Sequence, residues 1–362
     1  MPSVTIATTR DRQPRPFTHA IQDRHFHCYL IGKTGVGKST LLQQFITQDA
    51  RSGTSFCLID PHGDLAETAR ALAPTALYWD LAEPDCALGY NPLTPVTGAF
   101  RPLVASGVIE TLKTQWSDAW GARMEHLLRY AVLALLEQAS ASIADIMPLF
   151  LDKEFRKVVV AKITDEQVRD FWTREFDAMR YKGAVDGVAP IANKISGFLA
   201  HPLVRQAVCK PKVPVRFRRI MDDGQSLIVN LAKGRLGSDV SNLPGGLVVN
   251  GIANAAFTRQ SQPMFKRRPF FLYIDEFHNF TTEALAGMLS ELRKFKVGLI
   301  LAHQHTSQLE PRLLDAILGN VATLLVFRVG ANDAEILARQ LAADIPRPRD
   351  LSNSAAARCS SN

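Results

Sequence analysis

The stretch LIGKTGVGKSTLL, Leu30 to Leu42, fits G-x-x-x-x-G-K-[ST] with Gly32, Gly37, Lys38 and Ser39 in the required places. No other feature narrows the possible folds as far. An apolar strand must end near Ile31, and the glycines let the next residues turn so tightly that successive N–H groups converge on an anion. A helix must then begin near Lys38, its positive dipole end aimed at the same point. In this arrangement Gly32, Lys33, Thr34, Gly35, Val36, Gly37, Lys38, Ser39 and Thr40 wrap the phosphates of a nucleotide. Lys38 reaches the β- and γ-phosphates and the Ser39 hydroxyl reaches Mg²⁺. A glycine-rich turn that binds nothing is the alternative. The apolar run before it and the helical LLQQF after it speak against that.

A second stretch separates motor ATPases from kinases and GTPases. FFLYIDEF, Phe270 to Phe277, is an apolar strand that ends in two adjacent acids. Asp275 is placed to hold the Mg²⁺ shell and Glu276 to orient and polarise the attacking water. Two carboxylates at the end of a buried strand are unfavourable unless metal or donors compensate them. Acids that merely cap the following helix are the plainer alternative. No N-K-x-D guanine-reading motif is present, so ATP is expected in preference to GTP.

The third stretch is VGLILAHQHTSQL, Val297 to Leu309. In a RecA-like sheet this strand lies between the phosphate-loop strand and the Asp275 strand, which puts Gln304 where it can sense a γ-phosphate. His303 and His305 beside it read as polar chemistry at a strand end rather than as a metal site. Arg293 follows the Asp275 strand and lies beside the apolar residues Leu285, Met288, Leu289 and Leu292. The residues alone leave it open between solvated surface charge and an arginine finger. Arg328, at the end of the last strand, is a weaker candidate for the same cleft.

The apolar runs around these motifs set the architecture. Strands are expected at Phe26–Ile31, Ser55–Asp60, Ala76–Trp79, Ser226–Leu231, Phe270–Asp275, Val297–Ala302 and Thr323–Arg328, unbroken enough for a buried, mostly parallel sheet flanked by helices. Between 101 and 205 the strand signals vanish. Helical runs such as Arg123–Gln138, with Leu127, Leu128, Ala131 and Leu135 at helical spacing, replace them. The expected organisation is a polar tail over 1–23, an ATPase core over 24–100 and 206–345, an all-helical insertion over 101–205, and an irregular tail over 346–362. The chain has 362 residues, 46% hydrophobic, which suffices for such a core. Five cysteines without a C-x-x-C pair suggest thiols in a reducing compartment. No uncharged apolar run reaches membrane-spanning length, so a cytoplasmic protein is expected, at the inner face of the bacterial membrane only through a partner or a missing segment.

Together, IGKTGVGKSTLL, LIDPHGDL, LIVNLAKGRLG, YIDEFHNF, LAHQHTSQL and FRVGANDAEILARQL resemble the FtsK/HerA superfamily of DNA-pumping ATPases. Within it they are most similar to the TraD/TraG-like coupling proteins of conjugative type IV secretion, over about residues 24–345. The resemblance implies a RecA-like P-loop core, a homohexameric ring, ATP and Mg²⁺ as cofactors, and translocation of DNA through a central channel. It implies that Arg293, eleven residues before Gln304, is a finger that acts on a neighbouring subunit. Asp60 and His62 match a motif near the active site, and the helical insertion is expected to meet DNA or a relaxase beside the secretion channel. Only about 25 residues precede the phosphate loop, too few for the membrane helices or β-barrel of relatives. A truncated or excised form is therefore expected.

A net charge of +7 and a pI near 9.2 suit an anionic partner. The basic clusters KPKVPVRFRR at Lys210–Arg219, KRR at Lys266–Arg268 and RKFK at Arg293–Lys296 either line a channel or are solvated faces. With no zinc finger or helix-turn-helix, DNA would be tracked by its backbone without sequence specificity. Two rivals stay open: a protein-translocating secretion ATPase, and a nucleotide-gated assembly module with weak hydrolysis.

Overall fold

The computed structural model describes residues 3–8, 13–179, 184–280, 283–341 and 356–359. The chain forms two compact units. One comprises Met1–Trp79, Phe217–Ala232 and Ala255–Asn362, the other Asp80–Arg216 and Lys233–Asn254.

The first unit is built on a sheet of eight strands. In chain order they are β1 (Cys28–Ile31), β2 (Ser55–Asp60), β3 (Leu77–Asp80), β4 (Leu227–Asn230), β5 (Phe270–Ile274), β6 (Val297–His303), β7 (Thr323–Val326) and β8 (Ala356–Cys359). Their spatial order is β8-β7-β1-β6-β5-β2-β4-β3. Every pairing from β7 through β4 is parallel, and β8 closes the β7 edge antiparallel. All seven strands expected from their apolar runs are present, and β6 lies between β1 and β5 as a RecA-like sheet requires. Burial on both faces is why these strands are unbroken apolar runs: every residue of β1, β2, β5 and β6 is buried.

Register decides what meets at the sheet's carboxyl edge. His303 is level with Ile31, Leu301 with Ile274, and Ile59 with Ile274. Asp275 is therefore level with Asp60 and Ala302, and Gly32 and Gln304 are level with each other two residues further along. The helix Lys38–Ser52 covers one face of this sheet. Its buried positions Lys38, Leu41, Leu42, Phe45, Ile46 and Asp49 follow the helical period.

The polar tail expected over 1–23 is instead a hairpin. Ser3–Thr8 pairs antiparallel with Pro16–Ala20. Val4 and Ile6 point inward and join the core with Leu42, Phe45 and Ile46, while Thr5 exchanges backbone bonds with the Gln48 amide at 2.7 and 3.1 Å. Two inward apolar residues suffice here because a neighbouring helix supplies the rest of the core. The irregular tail expected over 346–362 lies outside the described residues except for Ala356–Cys359, which is the edge strand β8.

In the second unit, only helices and turns occur among the described residues between 101 and 205. They include Arg101–Gln115, Ala122–Leu135, Lys153–Val160 and Pro202–Cys209. Asp152 caps one of them by accepting from the N–H groups of Glu154 and Phe155. Phe150, Phe171, Trp172 and Phe176 pack as one aromatic cluster. The unit is wider than the expected insertion, beginning at Asp80 and including Lys233–Asn254. No described helix is long and apolar enough to cross a membrane.

Three buried histidines of the first unit and the half-buried His25 resist protonation, and this has a consequence for acid stability. Burial holds His19, His25 and His27 down to about 4, and His303 to about 3. His27 shows why a second proton has no place: Nε2 meets the Leu289 carbonyl at 2.8 Å, while Nδ1 accepts the Leu299 N–H at 3.0 Å. Unfolded imidazoles take up a proton near pH 6.5, so between 6.5 and 4 the unfolded chain is the better proton acceptor. The histidine contribution is expected to be full above pH 6.5 and to fall as pH drops towards 4, by no more than about 3 kcal/mol per ring. Asp275, its carboxyl raised to about 7, is protonated in the folded chain over the same window and offsets about one ring. Urea unfolding at a series of pH values checks this, and a flat profile from 7 to 4.5 would refute it.

Candidate functional site

The phosphate loop leaves β1 at Gly32 and is tied to both neighbouring strands. Gly32 N donates to His303 O at 3.4 Å and Lys33 N to Arg328 O at 2.9 Å. A side chain at Gly32 would place its Cβ 2.5 Å from the Cβ of Phe327, so the close packing of β7 requires glycine there. Gly37 has φ of 105°, a left-handed turn that sets the entry of the helix at Lys38. Lys33, Thr34, Gly35, Ser39 and Thr40 are exposed, and Val36 and Gly37 are half-buried. Lys38 is buried to 6% exposure, its ammonium donating to Gly32 O at 2.6 Å and Lys33 O at 3.1 Å. Burial lowers its pKa, and the charges of Glu276 and Asp275 oppose that shift.

Asp275 follows β5 and is anchored through its N–H to Ile59 O at 3.1 Å. Burial first, then the like charges of Asp60 and Glu276, push its carboxyl up to about 7, with Lys38 pulling the other way. Asp60 is itself engaged, accepting from His62 N and Ala66 N at 2.9 Å and so capping the helix Asp64–Leu72. The His62 side chain is exposed.

Glu276 takes a left-handed backbone, φ of 46°, uncommon for a residue with a Cβ. The turn swings its carboxylate towards the phosphate loop. Gln304 Nε2 donates to Glu276 Oε1 at 2.9 Å, and Thr34 Oγ1 donates to Gln304 Oε1 at 3.1 Å. Thr34, Gln304 and Glu276, which come from three separate stretches of sequence, thus form one hydrogen-bonded chain across the carboxyl edge of β1, β6 and β5. His303 turns inward, bonded to the Tyr29 hydroxyl at 2.5 Å, and His305 bonds Ser307 at 2.8 Å.

Two more site neighbours, His278 and Gln308, lie within the stretches YIDEFHNF and LAHQHTSQL but carry no signal of a role there. His278 Nδ1 lies 3.4 Å from Glu276 Oε2, and Gln308 lies 3.1 Å from His278. Spacing could not have found them, because they meet only once β5 and β6 are neighbours.

Arg293 is not brought to this site. It lies in the turn Leu292–Phe295 before β6, exposed, its guanidinium stacked on Phe26 at 4.5 Å. The seven residues of β6, about 23 Å at strand rise, separate that turn from Gln304. Arg328 is exposed at the carboxyl edge, where its carbonyl supports the loop.

At the sheet's amino edge, three basic segments converge. Arg259, fully buried, donates to the carbonyls of Arg268 and Phe295 at 2.9 Å and of Met221 at 3.0 Å, and pairs with Asp222 at 3.1 Å. It gathers Arg218–Arg219, Lys266–Arg268 and Arg293–Lys296 into one region. Lys210 and Lys212 belong to the second unit.

The residues at the loop suit a nucleotide-bound Mg²⁺ rather than a metal held by protein alone. No group of three His, Cys, Asp or Glu able to chelate a metal occurs among the described residues. Mg²⁺ does not need one, since it takes phosphate oxygens and water with one or two protein ligands. The exposed Ser39 hydroxyl and the reluctantly ionised Asp275 fit that demand.

Loop, strand order and acid pair together define a RecA-like P-loop fold. No protein-family model and no curated protein matches the sequence. Solved structures do match it. The unbound, monoclinic form of the bacterial conjugative coupling protein TrwB has a TM-score of 0.72 at 16% identity, covering 100% of this chain and 87% of that one. TrwB in complex with ADP and Mg²⁺ gives 0.66 at 16% identity, over 100% and 92%. VirB4 of Thermoanaerobacter pseudethanolicus gives 0.66 at 14% identity, over 97% and 91%. The chain has the fold of these proteins.

Proposed function

We propose that the chain is an ATP-hydrolysing DNA translocase of the type IV secretion coupling kind. The observation that carries the reading is the chain Thr34–Gln304–Glu276, which joins the phosphate loop to the acid of the neighbouring strand end through the residue expected to sense the γ-phosphate. Similarity to TrwB, solved with ADP and Mg²⁺ and described as a plasmid coupling protein, supports it.

In this reading Lys38 and the loop N–H groups bind the β- and γ-phosphates, and Ser39 and Asp275, the latter partly through water, hold Mg²⁺. The metal supplies charge neutralisation at the phosphate oxygens. Glu276 orients a water for in-line attack on the γ-phosphorus and accepts its proton, while the bond to the ADP oxygen breaks. Gln304 distinguishes a γ-phosphate from its absence. Arg293 faces away from its own site and serves the site of the next subunit in a homohexamer. The cations gathered by Arg259 contact the DNA backbone, with no role for base identity.

The test is ATP turnover with and without DNA at several salt concentrations. DNA is expected to stimulate turnover, with an apparent affinity that falls steeply between 50 and 200 mM salt, on the order of 10³-fold for six phosphate contacts. Indifference to DNA removes the translocase and favours a protein-pumping ATPase. Arg293→Ala is expected to bind ATP normally and lose on the order of 10³ in turnover. Mixed with subunits that carry Glu276→Gln, it should regain part of that activity. Wild-type turnover by Arg293→Ala alone removes it from the mechanism.

A further inference from the structure

The groups that hold Glu276 do not end at Gln304. Glu276 Oε1 accepts from Gln304 Nε2 at 2.9 Å, while Oε2, which accepts no hydrogen bond here, faces His278 Nδ1 at 3.4 Å. On the far side of the ring, His278 Nε2 is 3.1 Å from Gln308 Nε2. Gln308 Oε1 accepts two backbone N–H groups, those of Gln304 and His305, each at 3.1 Å.

These contacts set every donor and acceptor in turn. Backbone N–H groups can only donate, so the amide oxygen of Gln308 must face them and its NH₂ must face His278. That NH₂ can only donate, so His278 Nε2 is the lone-pair nitrogen. A neutral imidazole then carries its proton on Nδ1, the nitrogen turned towards Glu276. The direction of the chain is fixed from two peptide groups at the tip of β6 outward to a carboxylate beyond β5.

We propose that Gln308 and His278 are positioning residues for Glu276, an inference that rests on the ATPase reading above. Gln308 acts twice. Its oxygen pins the peptide that carries Gln304, the donor to one carboxylate oxygen, and its NH₂ selects the His278 tautomer that turns an N–H towards the other. A general base must hold its lone pair in one direction to orient water, and a second uncharged donor that closes on Oε2 beside the Gln304 bond to Oε1 fixes the carboxylate plane without neutralising it. The left-handed backbone of Glu276 gives that plane no regular strand or helix for support, so side chains must provide it.

Gln308→Glu is the discriminating variant. A glutamate of nearly the same shape still accepts the two backbone N–H groups, but its other oxygen cannot donate. His278 must then carry a proton on Nε2, either moved from Nδ1, which leaves a lone pair against Glu276, or added to it, which makes an imidazolium that neutralises Glu276. We expect turnover to fall about tenfold or more, with the KM for ATP and the melting temperature unchanged. His278→Phe should cost as much, and adding Gln308→Glu to it should cost nothing further. Nitrogen chemical shifts of labelled histidine give a readout independent of activity, with the proton on Nδ1 alone in the wild type and a proton on Nε2, with or without one on Nδ1, in Gln308→Glu. Wild-type turnover in Gln308→Glu, multiplied losses in the double variant, or a wild-type proton on Nε2 each overturn the proposal. A wild-type chain that shows the Nδ1 proton but never hydrolyses ATP overturns the ATPase reading, and the assigned catalytic purpose of the relay with it.

Discussion

Glu276→Gln is expected to lower ATP turnover by at least about a hundredfold while ATP still binds within about threefold of wild type. The amide is nearly the shape of the carboxylate, and its oxygen can still accept from Gln304 Nε2, so the Thr34–Gln304 link to the phosphate loop survives. What is lost is the capacity to take a proton from water. Single-turnover hydrolysis and equilibrium binding of a fluorescent ATP analogue separate the two effects. If turnover persists near the wild-type rate, Glu276 is not the base. If binding is lost as well, its role is to assemble the nucleotide site.

The largest expected loss of stability comes from a buried ion pair behind the phosphate loop. Arg24 and Asp49 are each 1% exposed. Arg24 donates to both Asp49 oxygens at 2.7 and 2.6 Å and to the Tyr273 hydroxyl at 2.7 Å, and its guanidinium stacks on Phe271 at 3.6 Å. Tyr273 also bonds Asp49. Asp49 belongs to the phosphate-loop helix and Tyr273 to β5, so the cluster joins the two elements that carry Lys38 and Asp275. Arg24→Met leaves a buried carboxylate without its countercharge, a change that costs about 3–5 kcal/mol. The double variant Arg24→Met, Asp49→Leu should recover most of that, because a well-packed apolar pair is often as stable as a buried ionic one. Urea midpoints measure both. A single variant within about 1 kcal/mol of wild type would mean that Asp49 finds water or gives up its charge.

The parts of the fold that are legible in the sequence are those fixed by short-range pattern. Phe270–Ile274 and Val297–His303 are apolar without interruption because both their faces are covered. The phosphate loop is legible because only a few residue types allow its turns. Asp275, Glu276 and Gln304 stand out as polar residues directly after apolar strands. The hairpin Ser3–Ala20 is not legible, since Val4 and Ile6 make too short an alternation and their burial depends on a helix some forty residues later. Strand β8, with the sequence AARC, has no strand signature at all and exists through pairing with β7. Arg24 reads as one more surface charge until Asp49 and Tyr273 surround it. His278 and Gln308 are separated by 30 residues, and nothing but the adjacency of β5 and β6 makes them partners.

The central position of β6 limits how this molecule can report what it holds. That strand is laced to β1 on one flank and β5 on the other, so it cannot slide or tilt without dragging both. In the proposed ATPase, news of a departed phosphate must therefore leave by rotation about a few bonds after His303, where the lacing stops. The sheet is an anvil, and the moving part is the short piece of chain that overhangs it.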